Sequence, residues 1–231
     1  MKQNVYDYSF ELRRKRSRSI SFVVTLLLSV ILLMVLLINF VIFSVHVNSD
    51  SMETDIAKGS AVFVTPLVRT PKRGDVVYIS RLDNYSPLKL ESIMNSFVQF
   101  FTAQKYYPFG YTNAMTGKPM LRRVLGLPGD TIYMKDYVLY ISPAGQDKVL
   151  TEFELWTKPY NIHIYSIPAE WNGMGACGDM EKITLNEGEY FVLADNRIEG
   201  TDSRVWGTIP ASKIKGKVIF EYFPFNHLHL F

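Results

Sequence analysis

Between Phe22 and Val45 no charged residue interrupts a run dominated by Leu, Val, Ile, Phe and Met. A helix needs about 20 such residues to cross a bilayer, so the run predicts a transmembrane helix and commits the chain to two solvents. A cleaved export leader would have a shorter apolar stretch, about 7 to 15 residues, followed by a small-x-small site. The segment FSVHVNSDS that ends the run offers no Ala-x-Ala pattern. On the N-terminal flank stands RRKRSR, residues 13–18. Cationic flanks stay in the cytoplasm, which places the N-terminus inside the cell membrane and everything after Val47 on the far side. The expected organisation is a basic cytoplasmic stretch at 1–19, a membrane helix and its exit at 20–47, and a folded extracytoplasmic domain at 48–231.

The net charge of +3 resolves into a local feature. Residues 1–19 hold Lys2, Arg13, Arg14, Lys15, Arg16 and Arg18 against Asp7 and Glu11, a net +4 that leaves −1 for the remainder. A basic footprint spread over a folded face is therefore absent, and no nucleic-acid partner is expected. With 48% apolar and 14% aromatic residues the remainder can build a packed core. Cys177 is the only cysteine, so no intrachain disulfide framework exists.

After the apolar run come short strand-like segments, SAVFVTPLV, GDVVYIS, RRVLGL, DTIYM, YVLYIS, NIHIYSI, EYFVLAD and KGKVIFEYF, punctuated by Gly, Pro, Asn and Asp. This spacing predicts a mostly β domain. One stretch differs: in SPLKLESIMNSFVQFFTAQ, Leu90, Ile93, Met94, Phe97, Val98 and Phe101 recur at helical spacing. That apolar stripe suits packing on the core, or lying in a membrane interface.

The chemistry centres on HVNSDSMETDI, residues 46–56. A serine hydroxyl becomes a useful nucleophile only beside a group that takes its proton, so Ser51 calls for a base. Ser49-Asp50-Ser51-Met52 is followed in order by KGSAVFVTP, KRGDVVYI, RRVLGLPGD and ADNRIEGTDSRVWG. The ordered set resembles the bacterial type I signal peptidase family, membrane-bound serine endopeptidases that remove signal peptides from exported proteins. The resemblance runs from the anchor to about Pro210, with 81–119 and 136–186 standing as variable insertions. It implies a mostly β, coiled-sheet or barrel-like catalytic domain tethered by one N-terminal helix, acting on exported preproteins at the lipid bilayer, with the translocation machinery a conceivable partner. No cofactor or metal is called for.

By the same resemblance Ser51 is the nucleophile and Met52 packs beside it. Ser49 joins the backbone N–H of Ser51 in stabilising the oxyanion, where a single donor is worth about 2.7 to 4 kcal/mol. If the segment is extended, alternation puts Val47, Ser49 and Ser51 on one face, and Val47 with Leu121 lines the pocket for the small residue before the cut. Asp130 bonds backbone amides in the GLPGD turn. Asp202 and Arg204 pair to hold the catalytic region, with Arg123, Asp195, Asn196 and Arg197 as further scaffold. Thr54 and Asp55 depart from the Pro-Thr that the family usually has after Ser-Met-x.

The family's base is a lysine, and here its position holds Arg122. A guanidinium stays protonated far above neutral pH, so a neutral arginine at pH 7 costs about 7 to 9 kcal/mol. General-base catalysis returns only about 10² to 10⁴ in rate, so Arg122 is unfit as a base. The family serine that orients the lysine is Gly200 here. Three readings stay open. Arg122 remains charged and lowers the serine's pKa while water or another group takes the proton; Lys118 or a displaced histidine such as His46 substitutes; or the chain binds signal peptides without cutting them. A self-cleaving repressor relative with a Ser-Lys pair shares a similar core, but the membrane anchor argues against it.

Overall fold

The computed structural model describes residues 5–68, 70–79, 120–156, 176–198 and 200–231, together with 94, 98, 160 and 162. Helix α1 runs from Val5 to Phe40. Within it Arg13–Met34 has a mean hydropathy of 2.0 and no part of that apolar window is buried inside the protein, so it is long and apolar enough to cross a membrane. The apolar run does not all belong to this helix. Its last residues enter strand β1, Phe43–His46, where Ser44 and Val45 are buried.

The main sheet is built from β1, β2 (Ala61–Thr65), β3 (Val76–Ile79), β4 (Met120–Gly126), β9 (Glu189–Leu193), β10 (Ile209–Pro210), β11 (Ile214–Phe223) and β12 (His229–Leu230). Its order is β1-β2-β11-β3-β4-β9-β10, with β12 added to β11, and every pairing is antiparallel. A second sheet has the order β7-β6-β5-β8, from β5 (Thr131–Lys135), β6 (Val138–Ser142), β7 (Leu150–Thr151) and β8 (Met180–Thr184). Short helices α2 (Glu152–Leu155) and α3 (Ser203–Trp206) and two 3₁₀ turns, Asp50–Met52 and Ala211–Lys213, complete the described elements. The expectation of a mostly β domain with one N-terminal apolar helix is met.

Alternation explains the layering. On β9, Phe191 and Leu193 join the cluster under the second sheet, with Leu125, Ile132, Leu139 and Ile141, whereas Tyr190 and Val192 face a cluster with Val77, Val124 and Ile209. A strand covered on both faces reads as a continuous apolar run, which is why EYFVL shows no clear period. The β5–β6 hairpin turns through Asp136 (φ 50°) and Tyr137 (φ 65°) between the paired Lys135 and Val138, the two-residue geometry whose twist matches the flanking strands.

Several sequence expectations lie outside the described residues: the strand at NIHIYSI apart from Ile162, and the helical stretch 86–104 apart from Met94 and Val98, which are helical. Lys118 also lies outside them. The 136–186 segment, expected as an insertion, supplies β6, β7, β8 and α2 and so forms most of the second sheet.

The two sheets meet tightly at Gly74. Its φ of +87° is one that L side chains rarely adopt, and a Cβ there would lie 2.4 Å from the Trp156 ring. Gly74→Ala should destabilise the protein by about 2 to 4 kcal/mol, combining the backbone penalty with overpacking, seen as a lowered melting temperature in detergent with the fold retained.

Candidate active site

Strand β1 ends at His46, and Ser51 sits in a 3₁₀ turn, Asp50–Met52, rather than on a continued strand. The expectation that Val47, Ser49 and Ser51 share one strand face is corrected on this point. Ser49 keeps extended angles (φ −129°, ψ 153°) and caps nothing, so its hydroxyl is available to Ser51, 2.9 Å away from Oγ to Oγ. The turn brings together two hydroxyls that the sequence pattern also paired, by a different route.

Arg122, from β4, reaches the same point. Its Nη1 donates to Ser51 Oγ at 2.8 Å and to the Leu121 carbonyl, while Nε and Nη2 both donate to the Thr201 carbonyl, at 2.9 and 2.7 Å. Arg122 and Ser51 are both buried. A guanidinium has donors and no acceptor, so Ser51 Oγ receives a hydrogen bond from Arg122, and the Ser51 hydroxyl proton points elsewhere, with Ser49 Oγ in reach. Among the described residues, Ser49 and Arg122 are the groups hydrogen-bonded to Ser51 Oγ. The arrangement favours negative charge on the serine oxygen, and among the described residues no carboxylate, imidazole or amine is hydrogen-bonded to it.

The loop 194–202 ties the two halves. Asn196 donates its backbone N–H to the Ser51 carbonyl at 3.0 Å, and Gly200 returns a bond to the Asn196 carbonyl at 3.2 Å. Arg123, next to Arg122, pairs with Asp195 through Nε (2.9 Å) and Nη2 (2.6 Å), with Asp55 (2.5 Å), and with the Gly74 carbonyl (2.9 Å). Burial pushes the Asp195 carboxyl up, opposed by the Arg123 guanidinium beside it. Burial alone would lower the Arg123 guanidinium, but Asp195 and Asp55 carry it above its ordinary value. Asp55, a departure from the family pattern, is thus an ion-pair partner.

The other residues expected as scaffold make ion pairs and amide contacts. Asp202 pairs with Arg204 at 2.7 Å and also accepts from the Ala194 amide at 3.0 Å. Asp130 accepts from the Leu127 and Ala144 amides at 2.7 and 3.2 Å and pairs with Arg73 at 2.8 Å. Val47, Met52 and Leu121 converge in one apolar cluster with Tyr78; Met52 is fully buried, and Val47 and Leu121 nearly so. Among the described residues no group of His, Cys, Asp and Glu could hold a metal ion.

Sequence reasoning missed Glu152, Tyr160 and Thr201. Thr201 acts through its carbonyl, which no side-chain pattern reveals. The start of α2 was legible: Thr151 and Glu154 form a reciprocal capping box, a Thr-x-x-Glu signature that places Glu152 in the first turn.

The family described as "Signal peptidase, peptidase S26" matches residues 19–223. Signal peptidase I of Bacillus licheniformis is 38% identical over 109 residues, covering 47% of this chain and 53% of that protein. Signal peptidase I T of Bacillus subtilis (strain 168) is 36% identical over 109 residues, covering 47% and 51%. Signal peptidase IB of Staphylococcus aureus is 32% identical over 108 residues, covering 46% and 54%. The chain spans about half the length of these curated relatives. A crystal structure of a signal peptidase I from Enterococcus faecalis V583 superposes only loosely, with a TM-score of 0.32 and 20% identity over 64% of this chain and 96% of that one.

At Gly200, where the family has a serine, the structure leaves little room for a side chain. A Cβ there would stand 2.1 Å from the Ala194 Cβ and 2.8 Å from the Asn196 carbonyl oxygen. Gly200→Ser should destabilise the protein by about 1 to 3 kcal/mol, and Ala194→Gly added to it should recover part of the loss, read from paired thermal melts.

Proposed function

The chain belongs to the signal peptidase family, and from that premise we propose that it is a membrane-anchored serine endopeptidase that cuts exported preproteins after their signal peptides. The observation that carries this reading is Ser51 Oγ held between Ser49 Oγ at 2.9 Å and Arg122 Nη1 at 2.8 Å. Ser51 Oγ attacks the scissile carbonyl carbon, the C–N bond breaks, and the amine leaves with a proton. Water then hydrolyses the Ser51 ester. The Ser51 N–H and the Ser49 hydroxyl stabilise the oxyanion of each tetrahedral intermediate, donors placed where charge develops. Arg122 stays charged and steadies the serine oxygen as an anion, and hydroxide or water from solvent takes the hydroxyl proton.

The substrate binds as an extended strand, with small apolar residues first and third before the cut, over the cluster that includes Val47 and Leu121. Main-chain pairing supplies affinity and the small pockets supply specificity in this mode. The basic residues in the N-terminal part of α1 face the cytoplasm and the β domain the far side of the cell membrane. A second reading follows from the donor-only character of Arg122: the chain retains signal peptides without cutting them.

The test incubates full-length protein in detergent with a preprotein bearing an Ala-x-Ala site. The expected outcome is slow cleavage that rises about tenfold per pH unit between pH 6 and 9, as for a serine deprotonated by solvent, and is abolished in Ser51→Ala. Arg122→Lys, which introduces an acceptor, should raise the rate at pH 7 by tenfold or more. A wild type that binds the preprotein and never cuts it supports retention instead; a pH-independent wild-type rate would mean that another base is present.

Topology is checked separately. Protease added to spheroplasts should digest the domain after Val47, and full protection would refute the orientation.

A further inference from the structure

We propose that Glu152, which lies outside the stretches that carry the family resemblance, is a positioning residue for Ser51 and acts through Arg197. The proposal rests on Ser51 as the nucleophile. Glu152 follows the Thr151 cap of α2 and is fully buried. Its Oε1 accepts from the Leu139 amide of β6 at 3.0 Å. Its Oε2 accepts from Arg197 Nη2 at 2.6 Å and from the Tyr160 hydroxyl. The carboxylate is thus fixed to the second sheet on one side and presented to the active-site loop on the other.

Arg197 is also fully buried, and among the described residues its Nε and Nη1 have no hydrogen-bond partner. Among the described residues its side-chain tether is the one ion pair to Glu152. Burial would lower this guanidinium, and Glu152, Tyr160 and Asp195 hold it above its ordinary value. A buried cation left without its partner does not stay where it is; it moves toward water or draws water in. Arg197 follows Asn196 directly, and the Asn196 amide holds the Ser51 carbonyl at 3.0 Å. Release of Arg197 would therefore loosen the residue that fixes the backbone of the nucleophile. The same loop presents the Thr201 carbonyl to Arg122, so the slackening reaches both the Ser51 backbone and the guanidinium that touches its oxygen.

Tyr160 couples this tether to the Arg123 joint, since the Arg123 guanidinium lies 4.5 Å from the Tyr160 ring centroid. The second sheet thus braces the catalytic loop through one carboxylate.

The test compares wild type, Glu152→Gln, Tyr160→Phe and Ile132→Ala, full-length in detergent. Ile132 is a fully buried residue of the same apolar cluster without a part in the ion pair, and its substitution supplies a control for general loss of stability. Amide hydrogen exchange is read at Asn196 and Gly200, alongside melting temperature and, where the preprotein is cleaved, kcat and KM. Expected in Glu152→Gln is exchange at both amides at least tenfold faster than in wild type, with kcat down about tenfold and KM within twofold. Tyr160→Phe, which keeps the ring and loses one donor to Glu152, should speed exchange about threefold and remain folded if Glu152→Gln does not. Ile132→Ala should melt lower while leaving both amides within twofold of wild type under native conditions. The proposal is overturned if the Glu152 and Tyr160 variants exchange no faster at these amides than the Ile132 control. A wild type that cuts no preprotein counts against the proposed activity, and the exchange comparison still decides the role of Glu152.

Discussion

The site is assembled on Arg123. One guanidinium gathers Asp195 from the loop after β9, Asp55 from the segment after the 3₁₀ turn that holds Ser51, and the Gly74 carbonyl ahead of β3. These three segments are distant in sequence and would otherwise be free to drift. A buried pair of this kind contributes little net stability against an apolar replacement, but it sets where its partners sit. Arg122 inherits its place from this joint because it is the preceding residue of the same strand.

A guanidinium at 122 does work that a lysine amine would not. Its Nε and Nη2 clasp the Thr201 carbonyl while Nη1 meets Ser51. A planar fork of donors can span a loop carbonyl and a hydroxyl at once, whereas an ammonium is a point charge on a flexible stem. The site is therefore ordered around donation. Gly200, where the family serine would orient an amine, is filled by the close approach of Ala194, so the two departures from the family pattern fit each other.

Much of this was legible in the sequence where the signal was local or periodic. The strands around VVYI, RRVLG, TIYMK and YFVL emerge from apolar runs bounded by turn residues, and the apolar run before β1 announces α1. The pairing of Asp202 with Arg204 was carried by the family resemblance. What escaped were features set by tertiary closure. Alternation mislaid Ser51 because the chain leaves β1 at His46 and tightens into a 3₁₀ turn. Asp55 gave no sign of its partner, since Arg123 lies on a strand far along the chain. Glu152 was hidden in a segment read as variable, although the capping box beside it marked the start of its helix.

Only Val41 and Ile42 separate the last residue of α1 from the first of β1, and both their amides bond to the Leu37 carbonyl, at 2.9 and 3.1 Å. The Val41 carbonyl in turn accepts from the Thr65 hydroxyl of β2 at 2.8 Å. Such a joint leaves no slack to swivel on. Torque on the helix passes directly into the sheet, so an anchored domain would hold its serine at a set height and azimuth above the lipid.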